Sequence, residues 1–234
     1  MRYFLYDGRV KLSDLLFPYY INRKIIYDFI KSVANDVAEN MTLLDFGCGS
    51  MPYKSLFKCQ KYIGCDIERS GHDETDKVAD VFYDGHNLPF PDNSFDYILV
   101  SEVFEHVSNI DEILEELKRI MKSSGKMFIT IPFCLEEHEQ PYDFRRFTSY
   151  GLRTFLEAHE LKCEYLWKSS SYKTTIRFMK IMRWDNVYRN AHSLPNRLVR
   201  ILVTFANNCM FVLSRKQDNY DDNTSIGLFA IAQK

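Results

Sequence analysis

Leu43-Leu44-Asp45-Phe46-Gly47-Cys48-Gly49-Ser50 reads as a short apolar strand running into a glycine turn. Leu43, Leu44 and Phe46 supply the strand. Gly47 and Gly49 permit positive φ and let the backbone come close to a ligand. A second strand-like run, Tyr62-Ile63-Gly64-Cys65, ends on Asp66, 19 residues past Gly47. In nucleotide-binding sheets an acid at about that distance bonds ribose hydroxyls. A dinucleotide site also needs a third glycine opening a helix onto the pyrophosphate. Here the turn is Gly47-x-Gly49-x-x-Pro52, with Asp45 just before it. An acid in that position repels a pyrophosphate and suits a cation. The pattern predicts a nucleoside-bearing cofactor that is positively charged, and it disfavours the alternative of an NAD-dependent oxidoreductase.

Working outward, a helical pattern over 12–38 carries Ile25, Ile26, Phe29, Ile30 and Val33 at core spacing, with Pro18 dividing it. Strands are expected at 41–46, 61–66, 78–83 and 95–100, with a polar stretch through Thr75 after the second. Ile110, Ile113, Leu114, Leu117, Ile120 and Met121 then mark an amphipathic helix stopped by Ser123-Ser124-Gly125, and 127–131 is a fifth strand. Thr148 reads as the N-cap of a helix carrying Leu152, Phe155 and Leu156. Residues 161–168 alternate as a half-buried strand, and 227–232 form the last one. Strands and helices alternating at these lengths predict an α/β fold with a doubly wound, mostly parallel seven-stranded sheet and a helical insertion before the last strand. A single domain is expected, made of an N-terminal helical cap (1–40), a cofactor-binding core (41–168), the insertion (169–225) and the last strand (226–234).

Ligands of such sheets sit beyond the carboxyl ends of the strands. Those ends are Asp45–Gly49, Asp66, Asp84-Gly85, Ser101-Glu102 and Pro132-Phe133. With this rim assembled, the chain resembles the class I S-adenosylmethionine-dependent methyltransferases, in particular the methyltransferase type 11 group, over residues 40–168 and 227–233. Asp45, Phe46, Gly47, Cys48 and Gly49 resemble the family's first motif, which implies a wrap around the methionine part of S-adenosylmethionine. Asp66, with Ile67 beside it, matches the ribose-binding acid. Asp84, four residues before Leu88-Pro89-Phe90, matches the adenine contact, with Gly85 and His86 alongside. Ser101-Glu102-Val103-Phe104-Glu105-His106-Val107 resembles the stretch lying over the cofactor. Met121-Lys122-Ser123-Ser124-Gly125-Lys126 is a degraded form of the family's Leu-Lys-Pro-Gly-Gly turn. His138-x-x-Pro141-Tyr142-Asp143-Phe144-Arg145-Arg146-Phe147-Thr148 resembles a signature of a bacterial subgroup associated with cell-surface sugar biosynthesis.

The resemblance implies methyl transfer, with O-methylation of a small molecule or glycan precursor as the leading expectation. A catalytically silent cofactor-binding scaffold is the non-enzymatic alternative. A hydroxyl acceptor needs a base, and His138, His106 and Asp143 are the candidates. Arg145 and Arg146 read equally as a loop-fixing ion-pair network. Cys48 reads as a small space-filler, and the six cysteines form no C-x-x-C pair, so neither a zinc site nor a disulfide framework is expected. No metal is required by the residues.

Net charge is −2, but it is split unevenly along the chain. Residues 1–171 carry 20 Lys/Arg against 28 Asp/Glu, whereas 172–216 carry nine against Asp185 alone. Two helices fit there, over 174–184 and 198–213. In the second, Leu198, Ile201, Leu202, Phe205, Cys209, Val212 and Leu213 form an apolar face, opposite Arg197, Arg200, Thr204 and Asn207 or Asn208. The apolar run is read as too short and interrupted to span a bilayer. A lid or homodimer element packing that face inward is expected first, peripheral contact with a membrane second, and nucleic acid is not expected. The start of the chain reads as too short and too charged for a signal peptide, and the scattered cysteines, read as reduced thiols, predict a cytoplasmic protein, with peripheral placement at the inner membrane face as a further expectation.

Overall fold

The computed structural model describes residues 8–68, 77–188, 193–214 and 224–234. The polar stretch expected after the second strand, and Arg189, Arg215 and Lys216 of the basic segment, lie outside the described residues.

Seven strands form one sheet: β1 (Thr42–Phe46), β2 (Lys61–Ile67), β3 (Val81–Tyr83), β4 (Phe95–Ser101), β5 (Met121–Pro132), β6 (Lys162–Lys168) and β7 (Gly227–Gln233). Their spatial order is β3-β2-β1-β4-β5-β7-β6. The β1–β2, β1–β4, β2–β3 and β4–β5 pairs are parallel. Lys234 N–H donates to Gly125 O at one end of β5, and Cys134 N–H to Ile226 O at the other, so β7 runs antiparallel to β5. The doubly wound, mostly parallel sheet is as expected, and its helices are α1 (Tyr20–Ala34), α2 (Ile110–Ile120), α3 (Ser149–Ala158), α4 (Tyr172–Tyr188) and α5 (Leu194–Ser214).

Two compact units divide the chain. The larger comprises 29–133, 137–167 and 228–234. Its core is built where the sequence pattern placed it: Leu44, Phe46, Ile98 and Val100 from the strands meet Ile113, Leu114, Leu117 and Ile120 from α2. Thr148 caps α3 by accepting a hydrogen bond from Gly151 N–H at 3.0 Å. Two boundaries differ from expectation. Ser123-Ser124-Gly125 does not separate α2 from β5: the strand begins at Met121, and a register shift opposite Phe95–Tyr97 absorbs the extra residues. The third strand is shorter than 78–83: Val78 N–H goes to Gly49 O in the glycine turn, and only from Asp80 N–H, which donates to Gly64 O of β2, does the chain join its partner strand.

The smaller unit comprises 8–28, 134–136 and 168–227. Pro18 does break the N-terminal helical run, into a 3-10 turn at Asp14–Leu16 and α1. Helices α4 and α5 pair antiparallel, Arg177 to Ser214 Oγ at 2.7 Å and Arg200 to Asp185 at 3.3 Å. The expected facing of α5 is reversed. Its buried residues are Thr204, Asn207, Asn208 and Phe211, and Asn208 donates to the Leu15 and Phe17 carbonyls. The apolar side looks outward, with Leu198, Ile201, Leu202, Val212 and Leu213 all exposed. On this polar stripe Asn208 supplies a donor to the Leu15 carbonyl and a second one to the Phe17 carbonyl, which also accepts from Tyr20 N–H at 3.2 Å. At 21 residues α5 also exceeds the predicted 198–213, and it is long and apolar enough to cross a membrane by length and composition, with 22% of its apolar window buried.

Candidate active site

The parallel register brings the strand ends of the larger unit side by side: Phe46 opposite Cys65 and Val100, and Ser101 opposite Thr130. Gly47 N–H and Cys48 N–H both donate to Cys65 O, at 2.8 and 3.2 Å, which folds the glycine turn over the end of β2. Gly47 and Gly49 have φ of +69° and +49°. A Cβ on Gly47 would stand 2.4 Å from Val103 Cγ2, whereas one on Gly49 would meet nothing within 4 Å. Backbone is therefore closely packed behind Gly47, with open space in front of Gly49.

Asp66 faces that space. Its carboxylate accepts from Gly49 N–H and Ile67 N–H, both at 2.8 Å, and Lys77 lies 3.4 Å away. Asp45 is buried, accepts the Tyr62 hydroxyl at 2.5 Å, and is pushed up to about 7 by burial, against the opposing effect of that hydrogen bond. Cys48 is buried, its thiol is raised by burial first and Asp45 second, and its Sγ sits against Gly64. It is a packing group, as the sequence suggested. Asp84 is exposed and accepts from His86 N–H and Asn87 N–H at 2.8 and 2.7 Å, holding the turn through Gly85. The His86 ring pairs with Glu112 at 3.1 Å. An open cradle at a glycine beside two carboxylates fits a cofactor with hydroxyl donors and a cationic end. S-adenosylmethionine has both, and Asp45, Gly49 and Asp66 are the residues that would hold it.

On the other side of the rim, Glu102 has φ +54° and accepts from Thr130 Oγ1 at 3.0 Å. The turn Phe104–His106 follows, and the loop after β5 closes on it. Arg145 donates to the Phe104 carbonyl at 3.0 Å, to Val107 O, and to Ser108 O at 3.1 Å. Arg146 instead forms a two-point ion pair with Asp143, whose carboxyl is held down at about 2, with burial opposing and Arg146 prevailing. These contacts bring His106 and His138 together edge to face, with ring centroids 4.9 Å apart. Burial, then the neighbouring His106, holds His138 below the usual imidazole range, so it is neutral near pH 7. Glu105 is fully buried between them, raised by burial first and by Glu102 second.

All three catalytic candidates thus converge, with Asp143 in an orienting position. Arg145, read from the sequence as a loop-fixing residue, fixes the loop through carbonyls and not through an ion pair. Thr130 and Lys77, which contact Glu102 and Asp66, were not singled out, although Thr130 is the one hydroxyl inside the apolar run 127–131.

Residues 44–129 match the family model described as a methyltransferase domain. An uncharacterized protein of Methanocaldococcus jannaschii is 33% identical over 94 residues, 38% of this chain and 43% of its own length. The ubiquinone biosynthesis O-methyltransferase of Pelagibacter ubique is 31% identical over 121 residues, 47% of this chain and 50% of its own length. The chain therefore spans half or less of these curated relatives. Among solved structures, a SAM-dependent methyltransferase from Archaeoglobus fulgidus shares the fold at TM-score 0.55 and 17% identity, over 91% of this chain and 94% of its own. Residues 44–129, which hold the open cradle beside Asp66, are thus similar to a methyltransferase domain, and the fold is shared with a SAM-dependent methyltransferase.

Proposed function

We propose that the protein methylates an oxygen of a small molecule or glycan precursor. The observation that carries this reading is the neutral His138 beside His106, on the same rim as the glycine turn, which offers a base where a hydroxyl would lose its proton. Held by Asp45, Gly49 and Asp66, S-adenosylmethionine would supply a sulfonium-activated methyl, whose S–C electron pair would stay on sulfur as the acceptor oxygen takes the carbon. His138 takes the hydroxyl proton, Asp143 orients His138, and Arg145 holds the loop over the acceptor. Alignment of this kind is worth on the order of 10⁵–10⁸ M in effective molarity. The O-methyltransferase among the relatives supports oxygen as the accepting atom, and the 138–148 motif supports a sugar-containing acceptor. Titration with S-adenosylhomocysteine and with NAD, followed by an acceptor screen reading S-adenosylhomocysteine release, tests the proposal. Binding without turnover on any hydroxyl would favour the silent scaffold, and binding of NAD alone would favour the oxidoreductase.

We further propose that the smaller unit rests on an anionic membrane surface at the cytoplasmic face. The outward side of α5 is apolar, and the outward side of α4 carries Lys173, Lys180 and Arg183. Apolar and basic faces together suit anionic headgroups.

A further inference from the structure

Glu105, His106 and His138 place one ligand atom each within 4.8 Å of one another. Glu105 is 0% exposed, and neither carboxylate oxygen has a hydrogen-bond partner. Arg146 is the nearby cation that favours its ionised form, but no donor bonds either oxygen, so the carboxylate has room for a directly bound cation. His106 is already oriented to face one. Its Nδ1 lies 2.7 Å from the Tyr142 carbonyl oxygen, which can only accept, so Nδ1 carries a hydrogen and Nε2 is the atom turned toward the acids. Nε2 lies 3.6 Å from Glu105 Oε1 and 3.2 Å from Glu139 Oε2. Around a zinc-sized ion, with ligand bonds of about 2.0–2.2 Å, tetrahedral ligand atoms stand roughly 3.3–3.6 Å apart. The two observed separations are close to that spacing.

His138 is arranged in the same way. The Asp143 carboxylate is 3.1 Å from its Nδ1, nearer than the Arg146 Nη2 donor at 3.4 Å, and a hydrogen held on Nδ1 by that carboxylate makes Nε2 the ligating atom. Carboxylate-to-imidazole and carbonyl-to-imidazole contacts are the outer supports found around metal-bound histidines. Glu102, held at φ +54° and close enough to raise Glu105, adds a further acid. Non-glycine residues in that conformation cluster at functional sites.

We propose that Glu105, His106 and His138 bind a divalent transition-type cation, with Glu139 or Glu102 completing the set. Two imidazoles and a carboxylate suit zinc, iron or manganese, whereas magnesium and calcium take mainly oxygen ligands. The inference rests on the reading above and changes one role in it: with the cation bound His138 would be a ligand and not the base, and the cation would ease loss of the acceptor hydroxyl's proton, which leaves to solvent. Cation binding itself needs no acceptor and no cofactor.

The test uses the full chain, stripped with chelator and titrated calorimetrically with zinc chloride and with magnesium chloride, alongside thermal melts and cobalt absorption spectra. The expected result is one zinc per chain, a melting rise of several degrees at about 100-fold excess over Kd, a cobalt spectrum of a nitrogen–oxygen site, and magnesium at least about 100-fold weaker. Glu105→Gln and His106→Asn should each weaken zinc by at least about 10–100-fold while leaving the circular dichroism spectrum as in the wild type. If Glu105→Gln does not fold, His138→Gln is judged by the same numbers. No zinc binding at 100-fold molar excess, or variants that bind as the wild type does, overturns the proposal. Zinc binding without S-adenosylhomocysteine binding would leave the cation site standing and overturn the methyltransferase reading instead.

Discussion

The Tyr62 hydroxyl donates to the Asp45 carboxylate across neighbouring strands at 2.5 Å, in a place where Asp45 is buried and raised to about 7. A carboxyl raised above its unfolded value near 4 favours the folded state while protonated. Its contribution is complete below about pH 4 and is lost as pH rises through about 7, where the fold must hold a buried anion. Asp45→Asn should therefore stabilise the apo protein above pH 7, by on the order of 2–4 kcal/mol, and change little at pH 4. Chemical denaturation at the two pH values checks this. Should Asp45 hold the cofactor's cationic end, cofactor binding near pH 6–7 would release a proton, visible as a buffer-dependent binding enthalpy.

Gly47 and Gly49 should fail differently. Gly47→Ala combines positive φ with a 2.4 Å approach to Val103, so the expected loss is in folding, about 2–4 kcal/mol. Gly49→Ala meets no neighbour, so folding should fall by only about 1–2 kcal/mol while S-adenosylhomocysteine affinity drops at least about tenfold. Unchanged affinity in Gly49→Ala would remove the cradle from the cofactor site.

Asp66→Ala deletes the carboxylate expected to take ribose hydroxyls. Charge-assisted bonds are worth roughly 1.5–3 kcal/mol each, so S-adenosylhomocysteine should bind at least about tenfold more weakly, with circular dichroism unchanged. Because Gly49 N–H and Ile67 N–H also lose their acceptor, a melting loss of a few degrees is expected as well. Wild-type affinity in this variant would sink the assignment.

His138 and Asp143 divide chemistry from scaffolding. Asp143→Asn breaks the pair with Arg146, and we expect it to cost about 1–3 kcal/mol of stability. His138→Ala should melt within a few degrees of wild type, bind S-adenosylhomocysteine normally, and lose about 10²–10⁴-fold in turnover once an acceptor is in hand. Equal turnover would assign His138 to loop packing.

Lipid binding by α4 and α5 should follow charge. Each basic residue near an anionic surface contributes about 1 kcal/mol, screened by salt. Co-sedimentation with vesicles containing phosphatidylserine should exceed that with neutral vesicles, weaken at high salt, and fall in a Lys173→Glu/Lys180→Glu/Arg183→Glu variant. A monodisperse dimer that ignores vesicles would assign the apolar face of α5 to a second copy instead.

The local and periodic features were legible from the chain alone. Apolar runs ending in glycine and acid set β1, β2 and β4, the 3.6-residue rhythm set α2, and Thr148 marked the start of α3. Each of these depends on neighbours a few residues away. The turn at Gly47 and Gly49 and the acid at the end of β2 were equally readable, because the two lie at a fixed offset in a parallel crossover, and the structure joins them through Gly49 N–H and Asp66. The boundaries at Ser123-Ser124-Gly125 and at Val78 were not readable, since hydrogen bonds to another strand or turn decided them. Nor was the orientation of α5, where carbonyls near residues 15–17, almost 200 positions away, drew Asn208 inward and turned leucines to the outside. The meeting of Glu105, His106 and His138 is of the same kind. Their residue types are ordinary in sequence, and only the closing of the loop after β5, tied down by Arg145, gives them a common centre in which no donor bonds the buried carboxylate.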